Sequence, residues 1–245
     1  KYFKFSCNKS LPTHCDACHL GKHTRLPFAS STTKTSAAFD LCHCDLWTSP
    51  VLSISGFQYY LVILDDFTHF TWMFPIRNKS EVHPLIVAFY AYVRTEFSSS
   101  IKAFQIDNGR EFDNAANRAL FTANGTLLRL TCPYTSQQNG KAERAIRTLN
   151  DVTRTLLFQS SMPPPYWAEA LATATHLINT RPSQSIVFAI PYIRLHNTIP
   201  DYCMLRVFGC LCYPNKSSVA KHKLAPRSVA CISLAIPPTI KGIDV

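Results

Sequence analysis

The chain has 245 residues, 47% of them apolar, which is enough for one sizeable core with appendages and excludes wholesale disorder. Twenty-five Lys and Arg against fifteen Asp and Glu give a formal charge of +10, a balance that favours a polyanionic partner such as nucleic acid over an acidic small molecule. No run of eighteen apolar residues occurs, and the opening KYFKFSCNKS lacks the apolar stretch of a signal peptide, so neither a membrane span nor secretion is expected.

Residues 1–35 are polar, basic and rich in His and Cys, and they close on the Ser/Thr-rich FASSTTKTSAA, which reads as a linker. From Phe39 the texture changes. FDLCHCDLW, FQYYLVILDDF and HFTWMFPI are short apolar runs with β-branched and aromatic residues, and they predict three successive strands. SEVHPLIVAFYAYVRTEF then predicts a helix opened by Ser80, with Leu85, Val87, Ala88, Phe89, Tyr92 and Val93 facing the core. A fourth strand, IKAFQID, stops at Asn108-Gly109. REFDNAANRALFTANG reads as a second helix with Glu111 and Asp113 in its first turn, and TLLRLTC as a fifth strand. A long helix follows to about Gln159, and after Pro163, Pro164 and Pro165 another runs through YWAEALATATHLINTRP. This order predicts an α/β domain with a five-stranded mixed sheet between helices. LRVFGCLCYP and SVACISL suggest strands of a small C-terminal appendage. The ten cysteines are irregularly spaced, and Cys42, Cys44, Cys210 and Cys212 alternate in strand-like runs as buried thiols would, so a reduced intracellular setting is expected. A start at Lys1 without Met and an end at KGIDV suggest a piece of something longer.

Three acids fall where this order can bring them together. Asp45 lies in the first strand, Asp107 ends the fourth, and Glu143 sits in the first turn of the long helix. A helical crossover between the third and fourth strands allows the first and fourth to be parallel neighbours. Converging carboxylates repel one another, and a divalent cation with oxygen ligands, Mg²⁺ or Mn²⁺ rather than zinc, would hold them. Each acid also has a plain reading: Asp107 as part of a turn, Glu143 as an i,i+4 partner of Arg147, Asp45 as a partly buried strand residue. Along the long helix, Ala142, Ala145, Ile146, Leu149, Val152 and Leu156 form the expected buried face. Glu143, Arg147, Asn150 and Arg154 line one flank, and Lys141, Arg144 and Thr148 the other.

The contexts HCDLWTSP, FQIDNGREFD and YTSQQNGKAERAIRTL, with 61 residues between Asp45 and Asp107 and 35 between Asp107 and Glu143, resemble the D,D(35)E core of retroviral and retrotransposon integrases. The resemblance is strongest to copia-type LTR retrotransposons of plants. CDACHLGKHTRLPF, YYLVILDDFTHFTW, PPYWAEALATATHLINTRPS, LRVFGCLCYP and HKLAPRS extend it over nearly the whole chain. It implies a ribonuclease H-like fold at residues 36–182, an incomplete pre-integrase zinc region at 1–35 and a partial C-terminal segment at 183–245. It further implies polynucleotidyl transfer with two Mg²⁺ or Mn²⁺ ions on Asp45, Asp107 and Glu143, and joining of retroelement DNA ends to target DNA by a homo-oligomer in a virus-like particle or nucleus. Lys141, Arg144 and Arg147 become DNA-backbone contacts, and Gln138, Asn139 and Gly140 a flexible active-site loop. Asp65 and Asp66 are expected to be structural.

Cys15 and Cys18 have the spacing of half a zinc site, whose histidines the family carries upstream, so Zn²⁺ is expected only in a longer parent chain. Leu234-Ala235-Ile236 departs from the family's Leu-Gly-Tyr-like turn. A catalytically dead remnant that only binds nucleic acid, or a nuclease of the ribonuclease H type without joining, are the competing expectations.

Overall fold

The computed structural model describes residues 16–21, 35–131, 139–203, 205–215, 222 and 226–234. Residues 1–34 and 35–245 form two separate compact units. In the first, α1 spans Asp16–Gly21.

The second unit is built on five strands: β1 (Cys42–Thr48), β2 (Tyr59–Asp65), β3 (Thr71–Ile76), β4 (Ala103–Ile106) and β5 (Leu127–Leu130). Their order in the sheet is β3-β2-β1-β4-β5. The first three form an antiparallel meander, whereas β1–β4 and β4–β5 pair in parallel, as the helical crossovers require. The sheet is the five-stranded mixed sheet of a ribonuclease H-like fold.

Helices cover both faces, which is why β2 reads as an unbroken apolar run rather than an alternation. Leu61 and Ile63 face one core with Cys42, Cys44, Trp72, Phe104 and Ile106, closed by α2 (Val82–Phe97) and α3 (Ala115–Ala123). Tyr60 and Val62 face the other, closed by α4 (Gly140–Gln159) and α5 (Trp167–Thr180). The side chain of Asn179 ties α5 to the sheet, accepting from the Thr71 N–H at 2.8 Å and donating to the Thr71 carbonyl at 2.7 Å.

Local chemistry moves several predicted boundaries. Asn78, not Ser80, opens the first helical segment, with Glu81 accepting from its N–H at 2.7 Å in a capping box over a 3₁₀ turn that runs into α2. The buried stripe of α2 is Val82, Leu85, Ile86, Phe89, Tyr90 and Val93, leaving Val87 exposed. α3 begins at Ala115, where Asn114 accepts from the Asn117 N–H at 2.9 Å, so Glu111 and Asp113 lie in the preceding turn and not in the helix. That turn is held in by fully buried Phe112 and by the Asn117 amide on the Glu111 and Phe112 carbonyls.

Beyond residue 182 the chain still packs on the core: Tyr192 and His196 of α6 (Pro191–His196) lie against Phe70, and Phe208 is buried with α4 and α5. β6 (Leu211–Cys212) and β7 (Cys231–Ile232) form an antiparallel ribbon. Cys42 and Cys44 are buried free thiols, but Cys210 and Cys212 are only partly covered, because a two-stranded ribbon has little interior. Among the described residues no helix is long and apolar enough to cross a membrane.

Candidate active site

The parallel β1–β4 ladder ends at His43↔Gln105. Asp45 lies two residues further along β1, and Asp107 directly follows Ile106, the last residue of β4; the same register continued by two residues sets the two acids side by side on one face. That face also carries His43 and Trp47 and is the one covered by α4; the intervening Cys44 points into the opposite core. Asp45 accepts from the Leu46 N–H at 2.8 Å, and Asp107 from the Gly109 N–H at 2.9 Å. Asn139, just before α4, donates its side-chain amide to the Cys44 carbonyl at 2.9 Å and so pins the first turn of α4, with Glu143, beside β1.

The acids share one electrostatic field. Burial, followed by the charges of Asp107, Glu143 and Glu111, pushes the Asp45 carboxyl up to about 7 against the pull of the Leu46 N–H. Glu143 and Arg147 form no ion pair, so Glu143 is not the helix-surface partner its spacing allows. Yet among the described residues no three acids, histidines or cysteines lie close enough together to hold a metal ion. Three carboxylates without a cation repel each other, and a standing cage is not expected from them alone. The donor set fits a hard divalent cation: it is all oxygen, and a cation there would relieve the burden on Asp45.

Glu111 escaped the sequence reading because its helical assignment placed it outside the cluster. It is partly buried, pairs with Lys79 at 2.9 Å, and with Asp107 crowds Gly109 so closely that a Cβ there would meet both carboxylates within 3 Å. Its position four residues past Asp107, on the far side of an Asn-Gly turn, was the available signal.

Several site expectations need correction. Lys141 is not a free DNA-facing cation: its ammonium is paired with Asp66, which also bonds His43 Nε2 at 2.7 Å. Burial alone would raise Asp66, but the bonds from His43 and Lys141 outweigh it and hold the carboxyl well below the usual range. Asp65 is fully buried and accepts from the Phe39 N–H and from the Thr68 N–H and hydroxyl, a structural role. Asn139 and Gly140 do not form a flexible turn, since Asn139 is 2% exposed and bonded to β1 and Gly140 belongs to α4. Gln138, Cys15 and the Cys18 side chain lie outside the described residues. Arg144 and Arg147 are exposed.

Beside Glu143 opens a cleft of about 590 Å³, floored by Trp47, Leu157 and Trp167 and flanked by Arg147 and Arg154. Asp151 also lines it and pairs with Arg154, and Trp167 is buried in the core, so Arg147 is the rim cation left without an ion pair among the described residues.

Residues 35–136 match the integrase core domain family, a span that includes Asp45 and Asp107 and stops short of Glu143. The chain is 35% identical over 234 residues to the retrovirus-related Pol polyprotein from transposon RE1 of Arabidopsis thaliana, which covers 94% of this chain and 16% of the relative. It is 34% identical over 224 residues to that of transposon RE2 of the same plant, covering 90% of this chain and 15% of the relative. To the Pol polyprotein from transposon TNT 1-94 of Nicotiana tabacum it is 31% identical over 219 residues, covering 89% and 16%. The chain thus spans about a sixth of the length of these relatives. Its fold matches a chain of the cryo-EM structure of the simian T-cell lymphotropic virus intasome in complex with the PP2A regulatory subunit B56 gamma. There the TM-score is 0.59 at 14% identity, over 81% of this chain and 70% of that one.

Proposed function

We propose that this protein is a metal-dependent polynucleotidyl transferase that processes retrotransposon DNA ends and joins them to target DNA, a reading supported by the match of residues 35–136 to the integrase core domain family within a chain similar to plant retrotransposon Pol polyproteins. The observation that carries the proposal is that the charges of Asp107 and Glu143 act on the partly buried Asp45 carboxyl, as the parallel β1–β4 register and the pinned first turn of α4 would require.

In this reading Asp45, Asp107 and Glu143 hold the Mg²⁺ or Mn²⁺ ions, which when bound activate the attacking water or 3′-hydroxyl and stabilise the leaving oxygen at a phosphodiester. The chain's own work is positioning and charge. Burial and the neighbouring acids push Asp45 up to about 7, a burden that a bound cation would relieve. Arg147, exposed and without an ion pair among the described residues, receives a backbone phosphate, while partly exposed Trp47 offers an apolar face to a base or sugar. The Asn139–Cys44 bond holds Glu143 in register with the strand acids, a requirement where misplacement by an ångström is costly. The active species is a homo-oligomer working on DNA in a virus-like particle or the nucleus.

Strand transfer with Mg²⁺ or Mn²⁺ on duplexes carrying the element's ends tests the proposal. Joined product is expected from the wild type and none from Asp107→Asn or Glu143→Gln; full activity in either variant refutes the assignment. A second reading, a fold kept only to bind nucleic acid, draws on the unassembled acids of the described residues. Metal-dependent joining by the wild type excludes it.

A further inference from the structure

α4 is a ridge with a groove on each side. At roughly 100° per residue, Glu143, Arg147, Asn150 and Arg154 fall on one flank of its buried face and Lys141, Arg144 and Thr148 on the other, roughly 120° apart across the solvent side. The first flank borders the cleft beside Glu143. The second borders a separate cleft of about 680 Å³ between α4, the β2–β3 turn and the end of α5.

We infer that this second cleft is a binding site for the phosphate backbone of a nucleic-acid segment other than the one at the acids. The inference rests on the nucleic-acid reading above and adds a second site to it. The cleft is lined by Lys141, Arg144 and Arg181, with the hydroxyls of Thr148, Ser183 and Ser185 between them, and no carboxylate lines it. Arg144 and Arg181 are exposed and make no ion pair among the described residues, so both guanidinium groups are available to phosphate. Lys141 is committed to Asp66 and forms the wall rather than the contact. His69, on the same wall, is pushed down to about 4, chiefly by burial and then by Lys141, and is neutral, leaving the arginines as the source of charge. The volume lies within the range of ligand-binding clefts, and two arginines with three hydroxyls offer more than one phosphate contact. One helix would thereby hold two polynucleotide segments, one on each flank, as a joining reaction needs.

The test is the number of short duplexes bound per chain at saturation, titrated with the full chain in chelator so that no chemistry intervenes. Wild type is expected to saturate at two duplexes per chain, and Arg144→Gln/Arg181→Gln at one, with unchanged thermal stability. The weaker of the two binding steps should lose roughly one unit of log–log salt slope per arginine removed. Arg181→Lys, which keeps the charge, should restore the second duplex. One duplex per chain in the wild type, or two in the double variant, overturns the inference. So does displacement of the second duplex by inorganic pyrophosphate at concentrations equal to the DNA, which would mark a small-anion site. Joining is scored separately: a wild type that joins DNA but binds one duplex per chain refutes this site alone, and one that binds two but never joins refutes only the proposed chemistry.

Discussion

Replacing Asp45 with Asn should stabilise the metal-free fold while abolishing joining. The carboxyl is pushed from 3.8 to about 7 by burial and by Asp107, Glu143 and Glu111. At about 1.4 kcal/mol per pH unit, ionised Asp45 costs the fold about 4 kcal/mol at pH 8. The amide removes that charge but weakens the bond from the Leu46 N–H, a loss of about 1 kcal/mol, leaving a net gain of about 3 kcal/mol. For a chain of this size that raises the melting temperature by roughly 6–12 °C. The pH dependence fixes the sign. Between pH 4 and 7 the folded state binds more protons than the unfolded one, so wild-type stability falls as pH rises through this window and levels off above it. The gap between Asp45→Asn and wild type should therefore be absent near pH 4 and full at pH 8. Adding Mg²⁺ or Mn²⁺ at pH 8 should raise the wild-type melting temperature and leave that of the variant in place. Thermal unfolding of both proteins from pH 4 to 8 in chelator is the measurement. Parallel curves, or a variant less stable at pH 8, would refute a shared carboxylate field.

Asp66 should show the opposite pH behaviour: its carboxyl is held low by His43 and Lys141, so its stabilisation is present above pH 4 and lost as pH falls below that value. Lys141→Ala leaves this buried acid with His43 as its only cationic partner, beside the Thr35 hydroxyl, and should cost about 1–3 kcal/mol in denaturant unfolding, a penalty that Asp66→Asn/Lys141→Ala together should not exceed. Gly209→Ala should destabilise by about 2 kcal/mol or more, because Gly209 sits at φ +78 and a Cβ would come within 2.3 Å of the Ser160 Cβ at the end of α4. A Gly209→Ala melting temperature within a degree of wild type would contradict that close approach.

The elements legible in the sequence are those whose signal is local and strong. The apolar runs of β1 to β3 and the 3.6-residue period of α4 are of this kind, and the parallel neighbours β1 and β4 follow from the crossover. Capping contests were less legible. Asn78 and Asn114 outcompeted Ser80 and Arg110 as helix starts because each found a reciprocal or backbone partner in three dimensions. Lys141 was misread for the opposite reason. A lysine on the outer turn of a helix looks solvated, and nothing nearby in sequence announces that Asp66, 75 residues away, will meet it.

Asn139-Gly140 shows why the site itself lay at the edge of legibility. Asn-Gly is a turn signal when its side chain has only local partners, and here it has a distant one. The β1–β4 ladder stops at His43↔Gln105, and beyond that point the strands are no longer held together by backbone bonds. The Cys44 carbonyl, just past the last pair, is where the Asn139 amide lands. Asp45 and Asp107 follow the last paired residues, at the carboxyl ends of two parallel strands, where an open α/β sheet has room for a ligand. The end of the ladder thus supplies the anchor that fixes the first turn of α4, with Glu143, beside β1.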